Sequence, residues 1–317
     1  MRIFGVHAGR RMGNSEILLR EAFMAAQEMG AEVEMVNLHD MKILPCCGCE
    51  SCMMKIIRDG KRPECIYKGK DDVELIMDKI LKADGIIISI PSFILQPQGL
   101  YKIFVDRWLP YEIAFLLEVN IIETTPQRVA GLITAGGSTP NWMSLTLPAL
   151  QMSMFTQSIK VVDQMMATQV ARPGHVVLKS ELIARARLLG QNVAKATMTP
   201  YEEVKWLGDE NQGWCPICHS NLLMQGTPHW DGLVYDVECA MCGAGGTLCS
   251  EEGRTVFVLA ENALKHCRVF SEGRRNHFYE LRQVHEEAFQ NQEKIKAGSE
   301  KYRNHDVTIL KSQEKIK

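Results

Sequence analysis

Cys46, Cys47, Cys49 and Cys52 fall within the segment ILPCCGCESCMMK, and Cys65 follows after a spacer. The x2 spacing of Cys46, Cys49 and Cys52 is that of a ferredoxin-type loop wrapping three corners of a [4Fe–4S] cube, and Cys65 is the natural fourth ligand. Soft thiolates select iron–sulfur or zinc over oxygen-seeking metals. Zinc and uncoordinated buried thiols are the competing readings, but three thiols on one tight loop suit a cube better than a zinc site made of two pairs. Cys47 lies outside the spacing and is read as a spare. A second constellation joins Cys215 and Cys218 in WCPICH to Cys239 and Cys242 in ECAMCG. Two CxxC knuckles among short strands are the signature of a zinc ribbon. A rubredoxin-like iron centre is the alternative, and iron there would carry electrons. Cys249 and Cys267 match no ligand spacing and are read as small buried hydrophobes.

A third constellation is the stretch HAGRRMGNS, with His7, Gly9, Arg10, Gly13, Asn14 and Ser15. A turn that frees backbone N–H groups just before a helix is an anion site. Arg10 could pair with a phosphate, and Asn14 and Ser15 could donate to its oxygens. A strand-to-helix turn that binds nothing is the competing reading.

The setting of these residues narrows their chemistry. Eleven cysteines occur in a 317-residue chain whose opening MRIFGVHAGRR lacks the apolar region of a signal peptide. No apolar run reaches the roughly 18 residues of a spanning helix. A cytoplasmic protein is expected, in which metal sites suit clustered thiols better than disulfides do. The formal net charge of -2 offers nothing to nucleic acid or an anionic membrane.

Five β-α units must position the sites. Arg2 to Val6 reads as the first strand, and the helix after it starts with Asn14 or Ser15 as N-cap. AEVEMVNL alternates as a strand, and GIIISIP is a continuous apolar run, the mark of a strand buried on both faces. RVAGLITAGG and IKVVDQMMAT supply two more strands, each followed by a helical pattern, with Pro148 a first-turn or kink residue. The pattern predicts a doubly wound parallel five-stranded sheet of order 2-1-3-4-5, with ligands at the carboxyl ends of its strands. The predicted division is 1–200 for this domain, 206–258 for the ribbon and 259–317 for a polar helical tail. Leu281, Val284, Ala288 and Ile295 form a stripe in that tail, interrupted by Asn291.

These motifs together resemble the flavodoxin-like NADPH-dependent FMN reductase superfamily, in its iron–sulfur flavoprotein branch. The resemblance spans about residues 1–198 and rests on GRRMGNS, the cysteine motif after strand two, KADGIIISIPSFILQPQGLYKIFVDRW ending in Phe104, Asp106 and Arg107, ITAGG and the closing helix. It implies FMN with its phosphate on the first loop. It also implies that Pro91, Ser92, Phe93 and Ile94, and Thr134, Ala135, Gly136 and Gly137, flank the isoalloxazine ring. Ala8, Leu95 and Gln96 depart from the family pattern.

The implied function is an FMN-dependent oxidoreductase. Electrons would pass between NAD(P)H or a ferredoxin-type donor, FMN, a [4Fe–4S] cluster and a small-molecule or protein acceptor. The resemblance also implies a homodimer or homotetramer, with Zn2+ in the ribbon from the spacing. No side chain is required as acid or base. Two alternatives stand beside it: an NAD(P)H-dependent FMN or quinone reductase without a cluster, and a non-catalytic flavodoxin-like module that contacts a partner through its ribbon.

Overall fold

Apolar runs flanked by amphipathic helices dictate a layered α/β architecture, and the computed structural model has one. It describes residues 1–124, 127–308 and 310, without the side chains of residues 57 and 58. In chain order the first part consists of β1 (Arg2–His7), α1 (Asn14–Glu28), β2 (Glu32–Asn37), α2 (Ser51–Asp59), α3 (Val73–Lys82), β3 (Gly85–Phe93) and the short β4 (Gln96–Pro97). There follow α4 (Gly99–Val105), α5 (Ile113–Glu118), β5 (Arg128–Ala135), α6 (Thr146–Thr156), β6 (Ile159–Ala167) and α7 (Ser180–Thr197). The five long strands pair in parallel in the order β2-β1-β3-β5-β6, which is the predicted 2-1-3-4-5 arrangement.

Burial on both faces explains the continuous apolar strands. Leu18, Phe23, Leu189 and Val193 cover one face, and Ile76, Ile80, Phe104 and Leu150 cover the other. The helices α1 and α7 meet where Gly190 leaves no side chain, since a Cβ there would lie 2.0 Å from the Ala22 carbonyl oxygen. Strand order reverses between β1 and β3; the carboxyl ends of β1, β3 and β5 carry the predicted phosphate and ring residues.

The second part is an antiparallel sheet of order β10-β9-β8-β7, formed by β7 (Leu223–Gln225), β8 (Val237–Cys239), β9 (Gly245–Glu251) and β10 (Arg254–Leu259). It leans on β6, the edge strand of the large sheet. Leu207 N–H donates to Val162 C=O at 2.8 Å, and Gln164 Nε2 donates to His219 C=O at 2.7 Å. Gln151 Nε2 donates to Cys218 C=O from α6. Residues 1–274 form one compact unit.

Residues 275–317 form the other unit, made of the remainder of α8 (Ser271–Gln290) and of α9 (Gln292–Arg303). The break falls at Asn291, the residue that interrupts the apolar stripe. The last part of the predicted tail, residues 311–317, lies outside the described residues. Among the described residues no helix is long and apolar enough to cross a membrane.

Four local expectations are corrected. The N-cap of α1 is Gly13, because the Asn14 side chain is drawn away to a neighbouring loop. The predicted cysteine loop becomes helical at Ser51, so Cys52 sits in the first turn of α2. Helix in the tail begins at Ser271 rather than near 259, because β10 and a run of turns intervene. Cys249 is exposed, since the β9–β10 hairpin leaves that stretch of β9 open to solvent; Cys267 is fully buried.

Candidate flavin and metal sites

The β1–α1 connection is built as an anion cradle. Gly13 N–H donates to Arg10 C=O at 2.9 Å, and Glu16 accepts from Met12 N–H at 2.8 Å, closing the turn. Asn14, Ser15 and Glu16 open α1, and their N–H groups have no earlier helical carbonyl to bond. Gly9 is required by close approach, for a Cβ there would lie 2.7 Å from His7 Nε2 and 3.0 Å from Ser15 Oγ. His7 is fully buried; its Nε2 lies 3.1 Å from Ser15 Oγ and its Nδ1 has no partner. Burial pulls its pKa down to about 4, so the ring is neutral at physiological pH. Arg10 is exposed at the lip. The Asn14 amide donates to Val170 C=O at 2.8 Å and Arg172 C=O at 2.9 Å, and its oxygen accepts from Val176 N–H at 3.0 Å. Asn14 therefore ties α1 to the β6–α7 connection, and only its backbone remains for an anion.

The two loops expected to face the ring lie beside each other. Ser92 pairs with Pro97 and Phe93 with Gln96, leaving Ile94 and Leu95 as a two-residue hairpin turn with φ of 49° and 69°. Such turns favour Gly or Asn at both positions, and a β-branched residue at positive φ costs roughly 1–3 kcal/mol. The strain is held by the start of α6: Leu145 N–H donates to Leu95 C=O at 3.1 Å, and Thr146 Oγ1 donates to Ser92 Oγ at 2.9 Å. Ile94 is 93% exposed and Phe93 52% exposed, beside the partly buried Pro91. On the neighbouring strand Thr134 and Ala135 are buried, and Thr134 Oγ1 has no partner. Gly136 N–H donates to Ala167 C=O at 2.9 Å, and Gly137 is exposed. A cradle of free N–H groups and an orphaned hydroxyl at adjoining strand ends fit an anionic cofactor that carries a ring, so the residues present suit FMN.

Cys46, Cys47, Cys49, Cys52 and Cys65 line one cavity of about 80 Å³, together with Tyr67 and Arg107. Cys46, Cys47 and Cys49 are exposed, and Cys52 and Cys65 are partly buried. Hydrogen bonding from Ser51 pulls the Cys49 thiol below its ordinary value, whereas burial pushes Cys52 up. No three of these sulfurs lie within 4.8 Å of one another. A cube holds its thiolates farther apart than a single ion does, so this donor set and shared cavity still suit an iron–sulfur group.

Arg107 fastens the cysteine segment at both ends. Its Nη1 donates to Leu44 C=O at 2.7 Å and to Asp71 Oδ2 at 2.5 Å, and the guanidinium lies 4.8 Å from the Tyr67 ring centre. Burial alone would raise the Asp71 carboxyl, but donation from Arg107 and Leu44 N–H holds it below its ordinary value. Both side chains are 2% exposed. Arg107→Met would strand a buried carboxylate and is expected to cost about 3–5 kcal/mol in urea unfolding. A loss under 1 kcal/mol would show that the clamp is solvated.

In the ribbon, Cys215, Cys218, Cys239 and Cys242 are buried with all four sulfurs within 4.8 Å of one another. Cys215 and Cys242 are 3.6 Å apart, and Cys218 and Cys239 are 3.5 Å apart. Four thiolates around one tetrahedral ion at about 2.3 Å stand about 3.8 Å apart, so the sulfurs are preset for a single ion. The thiols titrate against one another: hydrogen bonding with Cys215 and then Cys218 pulls Cys239 down and pushes Cys242 up. A shared divalent cation relieves that opposition.

Sequence reasoning missed the residues that hold these sites in place. Asp71, Gln151 and Gln164 belong to no motif, and only the fold brings each to its partner. A buried ion pair between Arg185 and Asp163 also went unseen, although both residues lie on predicted elements.

Known proteins resemble this chain both over its first part and along nearly its whole length. The profile described as NADPH-dependent FMN reductase matches residues 1–170. A flavone synthase of Aspergillus candidus is 29% identical over 307 residues, covering 89% of both chains. An iron-sulfur flavoprotein of Methanocaldococcus jannaschii is 31% identical over 163 residues, covering 51% of this chain and 76% of that protein. A solved structure described as flavone reductase superposes with a TM-score of 0.77 at 26% identity, covering 98% of this chain and 100% of its own.

Proposed function

Because the chain belongs to the NADPH-dependent FMN reductase family and is thus an FMN-dependent oxidoreductase, we propose that it couples FMN to a [4Fe–4S] cluster in the Cys46–Cys65 segment. NAD(P)H or a ferredoxin-type protein is the electron donor in this reading. FMN, when bound, supplies the exchange between two-electron and one-electron transfer. The observation that carries the reading is the convergence of Cys46, Cys49, Cys52 and Cys65 on one cavity, clamped by Arg107. The cradle of Gly9, Arg10, Gly13 and the N–H groups of Asn14 and Ser15 would hold the phosphate. His7, neutral and buried, would keep Ser15 oriented there. Pro91, Ser92, Phe93, Ile94, Thr134, Ala135, Gly136 and Gly137 would border the ring. The ribbon would hold Zn2+ as a closed structural site, in a cytoplasmic homodimer or homotetramer. Anaerobic titration with dithionite should consume one electron per chain more than a flavin alone accepts. Uptake by the flavin alone would leave a cluster-free FMN reductase.

A second reading concerns the acceptor. The relatives matched along nearly the whole chain, ribbon included, are described as a flavone synthase and a flavone reductase. This favours an organic substrate with a conjugated carbonyl in a flat aromatic framework. Anaerobic incubation with NADPH and flavone should bleach the long-wavelength absorption of flavone, and an unchanged spectrum with both NADPH and NADH would oppose it.

A further inference from the structure

A cavity of about 350 Å³ lies between the edge strand β6 and the first knuckle of the ribbon. That volume is within the range of small-molecule sites, about 300–1,000 Å³. Leu147, Met165, Met166 and Leu182 give it an apolar lining on the sheet side, and Trp214 lines it from the ribbon. Its only ionisable lining residues, among those described, are Arg185 and Asp209, and they pair across 3.1 Å. Further donors of Arg185 go to Asp163 at 2.9 and 2.5 Å and to Gln164 C=O at 3.0 Å. Arg185 is thus held by two carboxylates, and among the described lining residues no free cation is left to recognise an anionic ligand. Thioethers and an indole suit a flat aromatic face. The amides of Asn141, Asn211 and Asn221 and the Ser220 hydroxyl supply donors for a carbonyl or phenolic oxygen.

We propose that this cavity binds a flat, uncharged aryl ketone, and that the metal-tied knuckle is one of its walls. The ketone class rests on the second functional reading; the location rests on the cavity. Trp214 immediately precedes Cys215, and Ser220 and Asn221 follow Cys218 and His219, so the wall brackets the knuckle. Cys215 N–H donates to Ser220 C=O at 2.9 Å and holds the two sides together. Gln164 and Gln151 fix the carbonyls of His219 and Cys218 against β6 and α6. Asn141 and Ser144 lie on the same β5–α6 connection as Gly136 and Gly137, so one loop borders both this cavity and the proposed flavin ring.

The test is equilibrium dialysis of flavone against the FMN-loaded full chain, with FMN and metal content measured in parallel. Trp214→Ala should weaken flavone binding at least about tenfold, or about 1.4 kcal/mol, with FMN and metal content unchanged. Trp214→Phe should keep most of the affinity. Met166→Lys, which sets an unpaired cation in the apolar lining, should abolish it. Chelation of the ribbon metal should release flavone and leave FMN bound. Unchanged affinity in Trp214→Ala and Met166→Lys would overturn this location while leaving the ketone reading intact. Wild-type protein that binds no flavone would instead overturn the ketone reading itself.

Discussion

Cys49→Ser and Cys52→Ser are each expected to strip the protein of iron and acid-labile sulfide while FMN stays bound. Three ligands on one short segment fix three corners of a cube, so each removal leaves a corner open. Cys52 is set in the first turn of α2, so its position cannot be supplied by a neighbour without unwinding the helix, and Cys49 lies just before it. Cys65→Ser should destabilise the cluster or leave a three-iron form. Cys47→Ser should change little, because the x2 spacing already commits Cys46, Cys49 and Cys52. The flavin should persist throughout, since its phosphate cradle follows β1 and the cysteines follow β2. Iron and sulfide per chain, with EPR of the reduced protein, give the answer. About four irons in the wild type and near none in Cys49→Ser are expected. Retention in Cys49→Ser, or loss in Cys47→Ser but not in Cys46→Ser, would sink the ligand set.

Removal of one ribbon ligand should have a comparable effect on folding. Structural zinc contributes about 10–16 kcal/mol of apparent binding free energy in small fingers near neutral pH, against a typical total stability of about 5–15 kcal/mol. Cys239→Ser should therefore release the metal and open residues 206–258 to protease, with FMN absorbance retained. The buried sulfur pairs at 3.5 and 3.6 Å leave no room for a looser arrangement of donors. Metal analysis should find one zinc per chain in the wild type. Iron with a rubredoxin-like spectrum would make the ribbon an electron carrier instead.

The sheet and its strand order were legible because GIIISIP and RVAGLITAGG are apolar without alternation, which only a strand covered on both faces requires. The ribbon was legible because metal spacing is local: each knuckle places two sulfurs within a few residues. Long-range polar contacts were not. Arg107 and Asp71 lie 36 residues apart, and nothing near either announces the other. Leu95 was noted as a departure from a family pattern, but the turn it makes with Ile94 was not legible, because propensity reads those residues as strand, whereas the start of α6 holds them at positive φ. Asn14 shows a different limit. Its type and position suit a helix cap, and the closer competitors were three backbone groups from the β6–α7 connection, about 160 residues away in sequence.

The way the ribbon sits on β6 bears on how such a protein can be cut or inherited. An edge strand bares a row of unpaired backbone groups, and here the segment around Leu207 and the first knuckle cover it. Gln151 and Gln164 aim donors at the knuckle, so a chain ending near Pro200 would lose both bonds, at about 0.5–1.5 kcal/mol each. It would also expose an edge able to recruit another copy by strand addition. The ribbon is thus not a detachable cassette: a lineage that lost it would have to rewrite Gln151, Gln164 and the outer face of β6 at the same time, and a lineage that acquired it would need those residues in place first.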